Sequence, residues 1–260
     1  MIKLVVSDID GTLLQDGGHE LNPELFEVIL KLRGRGMQFA AASGRQWASI
    51  EAVFEPIKEK IFYLAENGAY VGCHGRMLFT SPIDRELVNE MVQDIREDGL
   101  IAVLSGPDVA YLDDSDPEIY RWLVEGYRFR VKKVDDLIKV DDTIIKVSAY
   151  RKSDIESHTV RIREKYRERL KLTISGDMWL DGMAQGVNKG QAVKLLQDSL
   201  GIRPEETIVF GDQLNDIEML KQAYYSFAVG NARAEVKQAA RFEADRNTRD
   251  GVLKILKLLL

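Results

Sequence analysis

The chain has 260 residues, 45% of them hydrophobic and 30% charged, enough apolar material for a sizeable core, which excludes a disordered or fibrous chain. A formal net charge of −6 offers no general attraction to nucleic acid or to an anionic membrane, and no apolar run reaches bilayer-spanning length. Cys73 is the only cysteine, so an intramolecular disulfide is excluded; with an N-terminus that does not resemble a signal peptide, the expected location is the cytoplasm.

Residues 2–7 are aliphatic and β-branched and read as a buried strand. Asn22-Pro23 predicts a helix start, with Asn22 as cap, and Gly34 and Gly36 its end. A strand at 37–42 and a helix at 45–55 continue the alternation of a doubly wound parallel sheet, a Rossmann-like α/β core. From Ser81-Pro82 the rhythm changes. An amphipathic helix is expected at 83–98, on Ile83, Leu87, Met91 and Ile95, followed by strands near 101–105 and 109–113 and a helix at 117–126. Strands near 129–134 and 143–151 precede a helix at 153–169, which Ser153 and Glu156 open at capping-box spacing, and strands near 171–175 and 178–183 end the segment. This is an α+β insert with a largely antiparallel sheet. The first rhythm then returns, with a helix at 188–199, strands at 207–210 and 226–229, and helices at 214–222, 232–239 and 250–259. The organisation expected is a core from 1–81 and 187–260 carrying an inserted domain at 82–186.

Four groups of residues carry chemistry. Asp8-Ile9-Asp10-Gly11-Thr12 follows the first strand, where ligands sit in doubly wound sheets, and places two carboxylates at i and i+2. Gly211-Asp212 with Asn215-Asp216 follows another β-branched strand. Carboxylates converging from both strand ends would repel unless a cation neutralised them, and oxygen ligands without nearby His or Cys favour Mg²⁺ over zinc. Ser43-Gly44-Arg45 ends the second strand and suits a phosphate, and Lys189 stands at a helix N-terminus, where a cation is best explained by an anion held beside it. His19, His74 and His158 share no ligand spacing, and the basic run Arg161–Arg169, interleaved with glutamates, reads as a solvated helix face with i,i+4 pairs. Trp179, Asp181 and Met183 alternate along the last strand of the insert, so one face of it could look into the cleft.

Taken in order, these groups resemble the motifs of the haloacid dehalogenase (HAD) superfamily of phosphohydrolases, and within it the Cof-type, subclass IIB sugar phosphatases with a large C2B-type cap. Asp8-x-Asp10-Gly-Thr, Ser43, Lys189 and Gly211-Asp212-x-x-Asn215-Asp216 match its four motifs; Glu66-Asn67-Gly68-Ala69, Gly230-Asn231-Ala232 and Asp250-Gly251-Val252 match its secondary signatures. The resemblance spans the whole chain. It implies Asp8 as nucleophile, Asp10 as general acid and base, and Mg²⁺ held by the Asp8 and Asp212 carboxylates and the Asp10 carbonyl. Asp216 is expected behind them, orienting Lys189 or a metal-bound water. Phosphate is expected at Ser43, Gly44, Lys189 and Asn215, and at the N–H groups after Asp10. Arg45, Asn67, Trp179 and Asp181 are the candidate substrate contacts. The implied activity is a monomeric, Mg²⁺-dependent phosphatase of small phosphorylated metabolites, sugar phosphates first, acting through an aspartyl-phosphate. A phosphomutase and a non-catalytic regulatory module on the same fold are the alternatives.

Overall fold

The structure, a computed structural model, describes residues 1–14, 20–113 and 117–260, so His19 lies outside it. The first part of the core contributes β1 (Leu4–Asp8), β2 (Gln38–Ala42), β3 (Phe62–Ala65), β4 (Tyr70–Cys73) and β5 (Arg76–Thr80). The insert contributes β6 (Ile101–Ser105), β7 (Ala110–Leu112), β8 (Val131–Lys133), β9 (Lys146–Tyr150), β10 (Leu170–Ser175) and β11 (Trp179–Ala184). The chain then returns to the core with β12 (Thr207–Gly211), β13 (Tyr225–Val229) and β14 (Phe242–Ala244). Two sheets result. The larger has eight strands in the order β14-β13-β12-β1-β2-β3-β4-β5, parallel except at β4 and β5. The other has six, in the order β10-β11-β9-β6-β7-β8, antiparallel apart from the β7–β8 pair.

Alternation along β1 decides the layering of the core. Val5 faces one side, in a cluster with Leu25, Ile29, Phe39, Phe210 and Leu256; Leu4 and Val6 face the other, with Val193, Leu196, Val209 and Met219. Helices therefore cover both faces: Pro23–Gly34 and Gly251–Lys257 on the first, Lys189–Leu200 and Ile217–Leu220 on the second. Asn22 caps Pro23–Gly34 as expected, its Oδ1 accepting from the Glu24 N–H at 3.0 Å. The strand order reverses between β1 and β12. This is the topological switch point, and register pairs Ser7 with Phe210, so both acidic loops leave the sheet side by side.

In the insert, helix Arg85–Glu97 buries Val88, Met91, Val92 and Ile95 against Ile162 and Tyr166. Ile83 falls outside it, because Asp84 is the cap and its side chain accepts from Glu86 and Leu87. The helix expected over 153–169 is two helices, Ile155–His158 and Val160–Tyr166. Asp154 enters at φ 55°, so the Ser153–Glu156 capping box does not form, and the Thr159 hydroxyl donates back to the Ile155 carbonyl at 2.7 Å where the helix breaks. Its cations also depart from i,i+4 pairing. Arg161 and Lys165 reach across to Asp94, which is buried and accepts from the Tyr166 hydroxyl, and Arg169 reaches Glu90.

The insert rests on the core through few but specific contacts. Lys146, on β9, is buried and ion-paired with Glu66 of the core; its Nζ also donates to the Gly44 carbonyl at 3.2 Å and lies 4.0 Å from Asp181. Burial opposes the ammonium, but Asp181 and Glu66 outweigh it and hold the Lys146 pKa above the ordinary lysine value. Removing one partner of such a pair strands the other's charge. Lys146→Met is therefore expected to lower stability by about 3 kcal/mol in a denaturant titration, with Glu66→Gln in the same chain recovering part of the loss. Unchanged stability in the single variant would show that the pair carries no net charge interaction.

Candidate active site

β1 ends in Asp8, and the chain turns at once: the Gly11 N–H donates to Leu14 O at 3.0 Å and the Thr12 N–H to Ile9 O at 3.3 Å. These two N–H groups, expected to face a phosphate, are instead used to close the turn. Gly11 sits at φ +82°, and a Cβ there would lie 2.3 Å from Asp212 Oδ2, so neither its conformation nor its surroundings admit a side chain. At β12, Gly211 plays the same part against Asp216, 2.5 Å from where its Cβ would stand. The two loops interlock. Thr12 Oγ1 donates to Asp212 Oδ1 at 2.6 Å, and Asn231, from the Gly230-Asn231-Ala232 signature, donates to Gly11 O at 2.7 Å.

Lys189 lies at the N-terminus of helix Lys189–Leu200, whose cap is Asn188. Its Nζ donates to Asp8 Oδ1 and to Asp216 Oδ1, both at 2.6 Å, with all three side chains buried. The anion inferred beside the lysine is thus, within the chain itself, a pair of carboxylates. Burial opposes the ammonium, but Asp216 and Asp8 outweigh it, and the lysine is held charged. Asp216 Oδ2 accepts from the N–H groups of Asp212 and Gln213 at 2.8 and 2.9 Å, so both its oxygens are engaged. Asp8 Oδ2 is different. It is buried and accepts no hydrogen bond from any described residue. Burial first and Asp216 second raise the Asp8 pKa well above the usual carboxylate range, against the pull of Lys189. Asp212 is pushed up to about 6 by burial and by Asp216.

Asp8, Asp212 and Asp216 each present a carboxylate oxygen within 4.8 Å of the others. Such a set fits a divalent cation with oxygen ligands, and the unpartnered Asp8 oxygen is the atom that most needs one. The Asp10 carboxylate is turned away toward Arg45, which grips it bidentately (Nε–Oδ2 2.8 Å, Nη2–Oδ1 2.6 Å).

Ser43 and Gly44 line the same cavity as Asp8, Asp10 and Lys189, a space of about 970 Å³ between core and cap. The helix expected to open at Arg45 starts two residues later, at Trp47: Gln46 stays extended before it, and its side chain bonds across to the cap. Glu66 and Asn67 adopt left-handed backbone at φ 51° and 55°, and their N–H groups donate to Arg45 O and Ser43 O, bracing the Ser43 loop. Asn215 Nδ2 donates to Asn67 Oδ1 at 3.0 Å, beside the cavity. Trp179, Asp181 and Met183 all line the cavity. Asp181, however, is buried and already engaged: Oδ1 accepts from Ser148 at 2.6 Å, and Oδ2 from Ser175 at 3.1 Å and Asn67 at 3.4 Å. Trp179 is half-buried and stacks on Trp122 with centroids 5.8 Å apart. Lys146, Tyr127 and Gln46 were not legible as site residues. Each is a single polar side chain whose partners lie far off in sequence.

The family model for haloacid dehalogenase-like hydrolases matches residues 5–256. The chain belongs to that family. A 5-amino-6-(5-phospho-D-ribitylamino)uracil phosphatase of Escherichia coli strain K12 is 28% identical over 261 residues, covering 100% of this chain and 96% of the relative. A solved structure from Eubacterium rectale shares 35% identity at a TM-score of 0.91, covering 100% of this chain and 99% of its own. At 23% identity, the fold alone is shared with the HAD subclass IIB sugar phosphatase BT4131, with a TM-score of 0.86 over 99% of this chain and 98% of that one. Within its family the chain is a phosphatase with a subclass IIB fold: a doubly wound α/β core and an inserted α+β cap.

The raised carboxylates have a measurable consequence. Asp212 binds its proton more tightly folded than unfolded, so its favourable contribution is complete below the ordinary value of 3.8 and is lost as pH rises through about 6. In metal-free protein, Asp212→Asn should therefore stabilise the fold at pH 7 and hardly at all at pH 4, as followed by thermal unfolding in chelator. A stability difference independent of pH across that window would show that Asp212 is not destabilised by its surroundings.

Proposed function

We propose that the chain is a Mg²⁺-dependent phosphatase of small phosphorylated metabolites, sugar and polyol phosphates first, working through an aspartyl-phosphate on Asp8. The observation that carries the reading is the state of Asp8, which lines the cavity: one of its oxygens is fixed by Lys189, while the other is buried and unpartnered. A nucleophile needs this combination of orientation and an uncommitted lone pair. Mg²⁺ would be held by the Asp8 and Asp212 carboxylates and the Asp10 carbonyl, and when bound it would supply positive charge for the phosphoryl oxygens.

Asp8 attacks phosphorus as the bond to the leaving oxygen breaks, and Asp10 gives that oxygen its proton. Asp10 then takes a proton from water as the water oxygen attacks the phospho-aspartate, releasing phosphate and restoring Asp8. Lys189 neutralises charge beside the transferred group, and Asp216 keeps the ammonium aimed at Asp8. Ser43, Gly44 and Asn215 complete the phosphate side. Arg45 holds Asp10, while Asn67 braces the loop. The organic part of the substrate then faces the cap side of the cavity, where Trp179 and Asp181 stand. The ribityl phosphate named for the Escherichia coli relative has a hydroxylated chain of the kind such a cavity would take.

Asp8→Asn is expected to cut phosphate release from an aryl phosphate at least about 10³-fold while the fold persists. Near wild-type turnover would end the covalent mechanism. Chelator should abolish activity and Mg²⁺ restore it, with Ca²⁺ giving little because its longer bonds misplace the phosphate. Full activity after exhaustive chelation would remove the acidic cluster as a metal site. Net release of inorganic phosphate, rather than its transfer between positions on one sugar, separates this reading from a phosphomutase.

A further inference from the structure

We infer that Tyr127, on the cap, is a positioning residue for Asp10 and acts through Arg45, so that the proton-transfer group is set only while the cap rests on the core. The inference deepens the reading just proposed and depends on Asp10 being the acid and base.

Three observations carry it. First, the Asp10 side chain is 49% exposed while that of Arg45 is 9% exposed. Burial does not fix the carboxylate; Arg45 does, by forked bonds to both oxygens. Second, Arg45 is itself sandwiched. Its remaining nitrogen reaches Ser49 Oγ at 3.5 Å, and the guanidinium carbon lies 5.6 Å from the centroid of the Tyr127 ring, which closes it off from the cap side. Third, the segment carrying Tyr127 is docked onto the residues around Arg45. Gln46, the next residue, exchanges two hydrogen bonds with the Arg130 backbone, at 2.8 and 3.3 Å, and the Arg130 guanidinium lies 4.5 Å from the Trp47 ring. Residues 45–47 of the core and 127–130 of the cap thus form one interlocked patch, and among the described residues the Asp10 side chain is tied to it through Arg45 alone.

The consequence is a coupling. If the segment 127–130 lifts, the ring leaves Arg45, the fork gains freedom, and a half-exposed carboxylate loses its fixed position. Misplacement on the scale of 1 Å is enough to slow a proton transfer severely. Proton transfer at the core is thereby tied to the presence of the cap, with no cap residue taking part in the chemistry.

Tyr127→Leu removes the ring and Tyr127→Phe keeps it. The test compares both variants with the wild-type chain, on phenyl phosphate and on a hexose 6-phosphate, with Mg²⁺ present. Tyr127→Leu is expected to lower kcat about tenfold on both substrates with KM within about threefold, and Tyr127→Phe to restore kcat to within about twofold. Gln46→Ala, which loosens the same segment without touching the ring, should lower kcat on both substrates in the same way and provides the test if Tyr127→Leu does not fold. Wild-type kcat in Tyr127→Leu, a loss confined to the hexose phosphate, or equal loss in the Phe variant would overturn the inference in favour of a direct substrate contact or no role. Full activity of Asp10→Asn would overturn both this inference and the assignment of Asp10 beneath it, whereas an inactive Asp10→Asn beside an unaffected Tyr127→Leu would overturn this inference only.

Discussion

Three buried carboxylates share one ammonium. Asp8, Asp212 and Asp216 meet at the strand ends with Lys189 between two of them, and the cluster keeps a surplus of negative charge in a place where charge is expensive. No arrangement of apolar residues would produce this, and stability alone would select against it. It persists because the rest of the core fixes its members from outside. β1 and β12 are buried on both faces, their register sets Ser7 beside Phe210, one residue before each acidic loop, and helix Lys189–Leu200 is packed so that its first residue enters the cluster. Thr12, Asn231 and the two glycines then leave the loops no other course.

The same short stretch of core, Ser43 to Trp47, meets two demands. Toward the cluster it offers Ser43 and Gly44 to the cavity and Arg45 to Asp10. Toward the cap it offers the Gly44 carbonyl to Lys146, the Gln46 amide to Arg130 and the Trp47 ring to the Arg130 guanidinium. A loop so divided cannot shift for one side without disturbing the other. That explains why its support is unusually stiff: two consecutive non-glycine residues, Glu66 and Asn67, are held in left-handed backbone to donate into it.

What could be read from the sequence follows from how local its causes are. The acidic loops announce themselves because paired carboxylates stand beside glycines at strand ends, and strand ends are marked by β-branched runs. Lys189 was legible for the same reason, as a cation at the wrong end of a helix. β3, β4, β5 and β14 carry no legible pattern: Phe62–Ala65 and Phe242–Ala244 are too short for periodicity, and β5 shows exposed Met77, Leu78 and Phe79 without alternation. The charge pattern over 153–169 is helical throughout and predicts one continuous helix, while the break at Thr159 comes from one hydroxyl turning back on the chain. Lys146 could not be found at all. In Ile144-Ile-Lys-Val-Ser148 it looks like a solvated position on a strand, and only the fold brings Glu66 and Asp181 to it.

Asp181 shows how the structure redistributes a role that a pattern suggests. Alternation along β11 placed it on the face toward the cleft, and it is there, but Ser148, Ser175 and Asn67 already occupy its oxygens and Lys146 stands beside it. A carboxylate so engaged can take a new donor only by giving one up, which makes it a poor discriminator among hydroxylated ligands. Its neighbour Trp179, stacked on Trp122, lines the cavity with Leu123, Phe129 and Met178 beside the polar Ser148, Lys171 and Thr173, and the apolar part of that wall can discriminate only by shape. Discrimination of that kind is shallow, on the order of 1–3 kcal/mol for a missing or added methylene. The other end of the cavity is fixed more closely: Lys189 is held by the Asp8 and Asp216 carboxylates, and the Glu66 and Asn67 N–H groups brace the Arg45 and Ser43 carbonyls.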